Sequence, residues 1–587
     1  MIKRIKSYKI PLLLTIFLFL FHLANKDFDN PYERPIAGDA QAYYAYLPAL
    51  FIYHDLSYDF VDDINEKYYP KSLQKSFLKP VGDGRVNKTF PGLAVLYLPF
   101  FLIAHGIALL FGLNADGYST VYQLLFDIGL WFYLWIGLVF FIKVLRFSGF
   151  SAKIANWSSA IVLLGTNMVF YSVYDQSVSH IYNFFMINAL LYFLLKYRDA
   201  FLFKDLAKVL FLFALIGITR PTNILVVGLV LFFIPDLSFY KTLFSNILKP
   251  KNFLRLFFIG AAVLAIPFIL WKLQTNNWVV YSYGDEGFNF SDPHLSDFLF
   301  SYIKGWFTYT PIAFIILIVG FILLYKQNKR QFTIGLLFYA SSVYIFSSWW
   351  CWYYGAGMGQ RVMIDHYILL GFLLALILQK LNQPTTNRIK QIAFGSLVVF
   401  AVGLNIAQAY QIRYGILTGG SATQNQYWNN FLSFEKKAEV YPQNHWILEE
   451  THNCTLAPTD KAILKGNSYY FENDWAIQVT DYDKYSPTIA ANVTNIRKGS
   501  KIIISFLARA IDPITETRLV VDIDGQNYVF SLSPYLKQNQ WVKIEYMVEP
   551  TKPVLNKPLI YFWNGGSNEK VEFKQVIFKH YFYDGYF

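Results

Sequence analysis

The apolar residues of this chain come in long blocks separated by short polar loops, and that spacing constrains the fold more than any other feature. Eleven blocks fall near residues 10–24, 119–145, 154–172, 181–195, 206–219, 221–235, 253–272, 303–325, 331–348, 361–379 and 391–411. A helix needs about 20 apolar residues to cross a bilayer, and several of these blocks sit at the short end of that range. The chain has 587 residues and would suggest about four domains if it were soluble. Its composition argues otherwise: 55% hydrophobic and only 15% charged, against about 25% charged in a typical soluble domain. The 19% of aromatic residues suits lipid–water interfaces. The sequence therefore predicts an α-helical polytopic membrane protein.

A net charge of +12 could signal nucleic-acid binding. The Lys and Arg residues instead lie in short clusters between apolar blocks, with no basic stripe and stacking aromatics on a soluble face, so a nucleic-acid partner is excluded. Cys351 and Cys454 are the two cysteines, and they fall in different expected domains. That predicts neither a disulfide framework nor a cysteine-based metal site.

The first block follows Lys3, Arg4, Lys6 and Lys9 and has no A-x-A cleavage site after it, so it reads as an uncleaved first span that starts in the cytoplasm. One further block, Pro91–Leu113, decides the parity of all later loops. If it lies in the interface or re-enters, one set of loops carries Lys143, Arg146 and Lys153, then Lys196, Arg198 and Lys204, then Lys241, Lys249, Lys251 and Arg255, then Lys326, Lys329 and Arg330, then Lys380, Arg388 and Lys390. The opposite short loops hold little beyond Arg220, Lys272 and Arg361. That asymmetry is the positive-inside pattern. Pro91, Gly92 and Pro99 also make the block a poor straight span. The expectation is about eleven transmembrane helices plus an interfacial or re-entrant helix. The N-terminus is then cytoplasmic in the plasma (inner) membrane, and the C-terminus extracytoplasmic.

Residues 1–411 form the expected membrane domain, with residues 25–118 as a large outer loop. Residues 412–440 read as a linker with one short helix. From 441 to 587 the period changes to two, as in "KIIISFLARAI" and "WVKIEYMVEP", and Asp524–Gly525 between β-rich runs is a hairpin signal. This predicts an all-β sandwich or jelly roll. Its Tyr and Trp residues are expected to fill the core rather than bind sugar. Asn-x-Ser/Thr triplets at Asn87, Asn453 and Asn492 carry little weight.

Charge near a bilayer is costly and needs a reason. Asp39 lies in "IAGDAQAYYAYLPALF", after Gly38, which permits an unusual turn. The stretch after it, with Tyr43, Tyr44 and Tyr46 beside Leu47, Leu50 and Phe51, reads as an amphipathic helix lying on the membrane. On spacing alone Asp39 reads first as its N-cap. The segment "WWCWYYGAGMGQR" ends in three alternating glycines and Arg361, which opens a helix, with Asp365 and His366 following. Free amides at a helix start plus an arginine suit an anion. The plain alternative is an aromatic belt with an Arg361–Asp365 pair at i, i+4. Arg220 in "GITRPTN" sits at a turn fixed by Pro221, Asp175 and His180 in "VYDQSVSHIYN", Lys88 in "RVNKTFPG", and Asp285 and Glu286 in the loop at 272–302. Each alone is weak. Together they come from distant segments and share one expected face.

These residues resemble those of the GT-C superfamily of membrane glycosyltransferases, which includes the protein O-mannosyltransferases and the lipid A aminoarabinose transferase. The features that carry the resemblance are the Asp39 segment after the first span, "FPGLAVLYLPFFLIAHGIALLFG", the "TRPTN" turn and "GQRVMIDHY". The resemblance covers residues 1–411. It implies transfer of a sugar from a polyprenyl-phosphate carrier to an acceptor hydroxyl on a lipid, polysaccharide or protein, with inversion. It implies that Asp39 is the general base and makes Lys88, Arg220 and Arg361 candidates to hold the lipid phosphate. Many relatives carry two adjacent acidic residues in this loop, whereas Asp39 is flanked by Gly38 and Ala40, so no cofactor is implied with certainty and a divalent metal is left open. The β-domain is not part of the superfamily core. Two other classes compete: a transporter or flippase for a lipid-linked glycan, which would carry polar groups on broken helices near the midplane, and a cell-surface glycan-binding or assembly protein.

Overall fold

The computed structural model describes all residues except 1–7, 29, 31–32, 70–76, 83, 285, 421, 436–445, 455–462, 466–468, 472–473, 480–487, 491–500, 512–516, 524–525, 549–557, 564–569 and 584–587. The chain divides into two compact units, Met1–Glu439 and Val440–Phe587.

The first unit is helical, and every expected apolar block contains helix. The first is Lys9–Ala24, followed after the loop by Thr120–Phe147, Ala152–Gly165, Met168–Val173, His180–Ala200, Phe203–Gly217 and Val226–Phe233. Pro250–Thr275, Pro311–Gln327, Lys329–Ser347, Tyr367–Leu381 and Arg388–Arg413 complete the set. Five helical segments are long and apolar enough to cross a membrane: Gly92–Leu110, Thr120–Phe147, Pro250–Thr275, Arg361–Leu381 and Arg388–Arg413. The chain is a multi-pass membrane protein. Three boundaries differ from expectation. The block at 154–172 breaks at Thr166 and Asn167, where the Asn405 amide donates to the carbonyls of Leu164 and Thr166. The block at 303–325 is split into a short helix, Trp306–Tyr309, and a long one that starts at Pro311, a residue favoured at the first position of a helix. A helix not expected from the sequence, Leu237–Leu248, lies in one of the basic loops.

Helices approach closely where a side chain is missing. A Cβ on Gly371 would lie 2.0 Å from the Phe141 ring, and one on Gly320 would lie 2.6 Å from Leu373. Membrane bundles use small residues for this purpose, since lipid offers no hydrophobic drive between helices.

The Gly92–Leu110 helix meets the length criterion for a span and packs along Thr120–Phe147, with the Leu96 carbonyl accepting from Tyr133 Oη at 2.9 Å and His105 bonded to Tyr122 Oη at 2.6 Å. At its start, Gly92 N–H donates to the Ile218 carbonyl at 2.9 Å, beside the end of Phe203–Gly217. Past its end the chain returns to Gly117 and Tyr118, whose carbonyls accept from Tyr44 Oη at 2.7 Å and Arg34 Nη1 at 3.2 Å. Between those points Tyr97 packs on Phe126 and Tyr182, both in the first turns of their helices.

The Asp39–Pro48 helix corrects one expectation. It does not lie amphipathically on a surface, since residues 40–48 are all buried. Tyr46 Oη donates to the Thr89 carbonyl at 2.6 Å, and the Tyr44 ring packs edge-on against Phe101, Tyr118 and Phe126. Only the π-helical turn that follows exposes Leu50 and Phe51. The tyrosine run serves packing, with each hydroxyl needing a partner once buried.

The second unit holds two antiparallel sheets, one of five strands and one of six. Ile489, Leu519, Val521, Ile560 and Phe562 from one sheet and Ile502, Ile504, Phe506 and Phe573 from the other share a single core. Phe562 stacks on Phe573 with centroids 3.8 Å apart. This is the two-layer packing of a β-sandwich. Strands Arg518–Ile523 and Gln526–Ser531 pair antiparallel with Ile523 opposite Gln526, while Asp524 and Gly525 lie outside the described residues, as does Asn492. Among the described residues the fully buried rings of this core are phenylalanines, with Tyr528, Tyr535 and Tyr546 packed against it from partly buried positions. Trp541 instead faces the cations of Arg509 and Lys574, and Trp563 faces Arg518. An indole keeps a polar edge that suits such a half-buried place.

Candidate active site

Asp39 is the first residue of its helix. The cap position belongs to Gly38, with φ 56° and ψ −126°, and no side chain caps the helix. The N-cap reading of Asp39 is therefore set aside: glycine supplies the turn, and the carboxylate is left to project. Its side chain is 51% exposed and accepts from Arg361 Nη2 at 2.8 Å. Arg361 is only 14% exposed, and its Nε has no hydrogen-bond partner among the described residues. A guanidinium has five donors in a fixed fork, so this one keeps capacity for a further anion.

Arg361 reaches Asp39 because of how its segment is wound. Gly355, Gly357 and Gly359 all have positive φ, and Arg361–His366 is a 3-10 helix. With three residues per turn, position i+4 is not stacked on position i. The expected Arg361–Asp365 pair does not form. Asp365 turns inward instead, where its two oxygens meet His180 Nδ1 and Asn223 Nδ2, each at 2.7 Å. On the other side of the same imidazole, Nε2 lies 3.3 Å from Arg220 Nη1, which also approaches Ser179 Oγ at 3.4 Å. The Arg220 guanidinium lies over the Tyr354 ring. Asp365, His180 and Arg220 thus form one relay of contacts, with Asn223, two residues beyond Pro221, as the second support.

Lys88 is engaged by Glu286, Nζ to Oε1 at 2.5 Å, and Trp350 Nε1 donates to the other carboxylate oxygen at 3.2 Å. Lys88 also lies 5.5 Å from the centre of the Tyr283 ring. Burial pushes the Tyr283 hydroxyl up, with Tyr43, Asp39 and Glu286 adding to this and Arg220 opposing it. Asp285 lies outside the described residues.

Asp175 accepts from Ser177 N and Oγ in its own turn, at 3.2 and 2.6 Å. It shapes the loop next to Gly38, since a Cβ on Gly38 would touch Ser177. His366 is fully buried between Phe338 and Phe346 with neither ring nitrogen hydrogen-bonded among the described residues, so it packs rather than faces the cleft. Asn87 is likewise unavailable for modification: it is fully buried and its amide donates to the Ala42 carbonyl at 2.8 Å.

Sequence reading missed three members of this neighbourhood. Lys304 is fully buried, with Nζ 3.1 Å from Tyr171 Oη, and Tyr171 in turn touches the Gly357 backbone. His22 and Asp127 form a buried pair at 2.7 Å, although both lie inside expected spans. The signal was present in each case, as a charged or titratable residue inside an apolar block.

No family model matches the chain, and no curated protein matches it. Among solved structures, it is similar to the arabinosyltransferase EmbB from Mycobacterium smegmatis, seen by single-particle cryo-EM, with a TM-score of 0.36 and 10% identity. The likeness covers 83% of this chain and 59% of that one, so the chain spans less than two thirds of that protein's length. A likeness at this score carries no argument about the reaction, which is read from the site alone.

Proposed function

We propose that this chain is an inverting membrane glycosyltransferase that moves a sugar from a polyprenyl-phosphate carrier to an acceptor hydroxyl. The observation that carries the reading is the contact between Asp39 and Arg361: an accessible carboxylate beside a mostly buried guanidinium with a spare donor. Sugar transfer from a lipid phosphate needs both groups. Asp39 takes the proton from the acceptor hydroxyl as that oxygen attacks the anomeric carbon. The bond from that carbon to the phosphate oxygen breaks on the opposite face, so configuration inverts. The departing polyprenyl phosphate gains charge, which Arg361 and Arg220 neutralise. The donor phosphate competes with Asp39 for Arg361, and its arrival releases the carboxylate for the acceptor. Lys88 joins the phosphate set when Glu286 yields it. The site is on the extracytoplasmic side, following the loop charges.

The test is turnover of a panel of polyprenyl-phosphate sugars by the purified chain, with release of polyprenyl phosphate as the signal. Asp39→Asn should abolish release, and the product should carry the inverted anomeric configuration by NMR. Full activity in Asp39→Asn, or a retained configuration, would overturn the reading.

A further inference from the structure

Beside the Gly38 turn lies a polar cavity that the reaction does not use. It encloses about 150 Å³, well beyond the volume of a single water, and its wall includes Lys26, Arg34, Arg413, Glu33, Gln176 and Gly38. Three cations converge there, Lys26 and Arg34 from the loop after the first helix and Arg413 from the end of the Arg388–Arg413 helix. Lys26 is mostly buried and donates to a neutral partner, Gln176 Oε1, at 3.1 Å. Burial pushes its ammonium down from its ordinary value and the Arg413 charge adds to this, while the carboxylates of Asp127, Glu33 and Asp175 act the other way without outweighing burial. Arg34 is 9% exposed, its Nη1 donates to the Tyr118 carbonyl, and its Nε has no partner among the described residues. Arg413 pairs with Glu33, whose other oxygen accepts from the Asp27 amide. Asp175 also lines the wall, so the lining keeps one positive charge in excess.

A buried cation without an anion is costly, and so is a buried donor without an acceptor. Lys26 and Arg34 present both costs at one cavity, and the only carboxylate ion-paired there, Glu33, is held on Arg413 among the described residues. A tetrahedral oxyanion matches this set, since it accepts from an ammonium and a guanidinium at once and offsets the excess charge. We propose that this cavity is a phosphate-binding subsite, separate from the Asp39–Arg361 pair, in which Lys26 and Arg34 hold the phosphate of a lipid headgroup or free phosphate. The two sites are neighbours: Gly38 lines the cavity and Asp39, the next residue, pairs with Arg361. The subsite stands whether or not the chain transfers sugar.

The experiment uses the full chain in a phosphate-free maltoside detergent. The Arg361→Gln background weakens the site described above, and the Lys26 variants made in it read the subsite. Calorimetry with inorganic phosphate reads the free anion, and native mass spectrometry of protein exposed to phosphatidylglycerol reads the headgroup. The Arg361→Gln protein should bind at least one of the two probes saturably. Adding Lys26→Gln should weaken that binding at least tenfold, while adding Lys26→Arg should preserve it. A loss with both Lys26 variants, accompanied by an altered gel-filtration profile, is checked against Arg34→Lys, which keeps the charge and removes Nε as a second donor and should weaken binding in a protein that elutes normally. Binding of neither probe by the Arg361→Gln protein, or equal binding after Lys26→Gln, would overturn the proposal. Failure of sugar transfer in Asp39→Asn bears on the reaction alone.

Discussion

Asp39 and Arg361 are 322 positions apart in the chain and 2.8 Å apart in space. The pair joins the start of the Asp39–Pro48 helix to the 3-10 segment that leads into the Tyr367–Leu381 helix. A contact of such long range is not a local cap or an i, i+4 pair. It requires Gly38 to supply the helix turn and three glycines to bring Arg361 round.

The first expected outcome follows from the division of labour in that pair. Asp39→Asn should lower turnover by roughly 10²–10⁴-fold, the contribution of a general base, with little change in donor KM. Arg361→Gln should raise donor KM and lower turnover together, since it loses a phosphate contact and a transition-state contact. Arg361→Lys should fall between, because an ammonium lacks the fork. Steady-state kinetics on the three variants separates these effects.

The second concerns Asp365, a positioning residue that acts through His180. Asp365→Ala leaves the Asn223 amide and the His180 ring nitrogen without their partner, at about 1–3 kcal/mol for each buried group. The variant should unfold at lower temperature in detergent. Asp365→Asn keeps the shape, and should shift donor KM through Arg220 while leaving the Asp39-dependent step near the parent rate. Equal loss in KM and kcat would place Asp365 in the reaction itself.

Much of this arrangement was legible in the sequence, and the reasons for the remainder are specific. The apolar blocks located the helices because bilayer length and hydropathy are properties of consecutive residues. Asp39, Arg220, Arg361 and Lys88 stood out because charge beside apolar blocks is costly. Which charges pair was not legible. The i, i+4 pairing of Arg361 with Asp365 assumes an α-helix, and the segment winds as a 3-10 helix. The Tyr43–Tyr46 run looked amphipathic because tyrosine is polar at one end; the structure buries the rings and gives Tyr44 and Tyr46 carbonyl partners from segments far away. Lys304, inside the 303–325 block, and Lys26, just past the first block, were passed over because their burial depends on contacts with residues more than a hundred positions distant.

The third prediction concerns acid. Asp116 ties the end of the large loop to the start of the Thr120–Phe147 helix. Burial alone would raise its carboxyl, but hydrogen bonds from Tyr68, Lys67 and the amides of Tyr118 and Ser119 outweigh that and hold it below the usual carboxylate range. A depressed folded-state value means stability that is complete above the unfolded value, about pH 4, and lost as pH falls through the lower folded value. Limited proteolysis of the loop should therefore accelerate only in that acid window. Asp116→Asn should be more readily cleaved at neutral pH and lack the acid-dependent increment.

The last prediction separates two costs at the glycine-rich turn that aims Arg361. Gly355 has φ +71° and nothing within 4 Å of an added Cβ, so Gly355→Ala meets backbone strain alone. Strain of this kind costs on the order of 1–3 kcal/mol. Gly357 has φ +118°, and a Cβ there would lie 2.5 Å from Tyr171 Oη, the group to which Lys304 donates. Gly357→Ala therefore adds a steric clash to the strain, and relieving it moves Tyr171 away from a fully buried ammonium. Thermal unfolding in detergent should show a modest loss for Gly355→Ala and a clearly larger one for Gly357→Ala. Gly357→Ala should also raise donor KM, because the turn that carries Arg361 shifts with it. Equal losses in stability for the two variants would mean that Tyr171 yields freely, and that the Lys304 contact does not hold this turn in place.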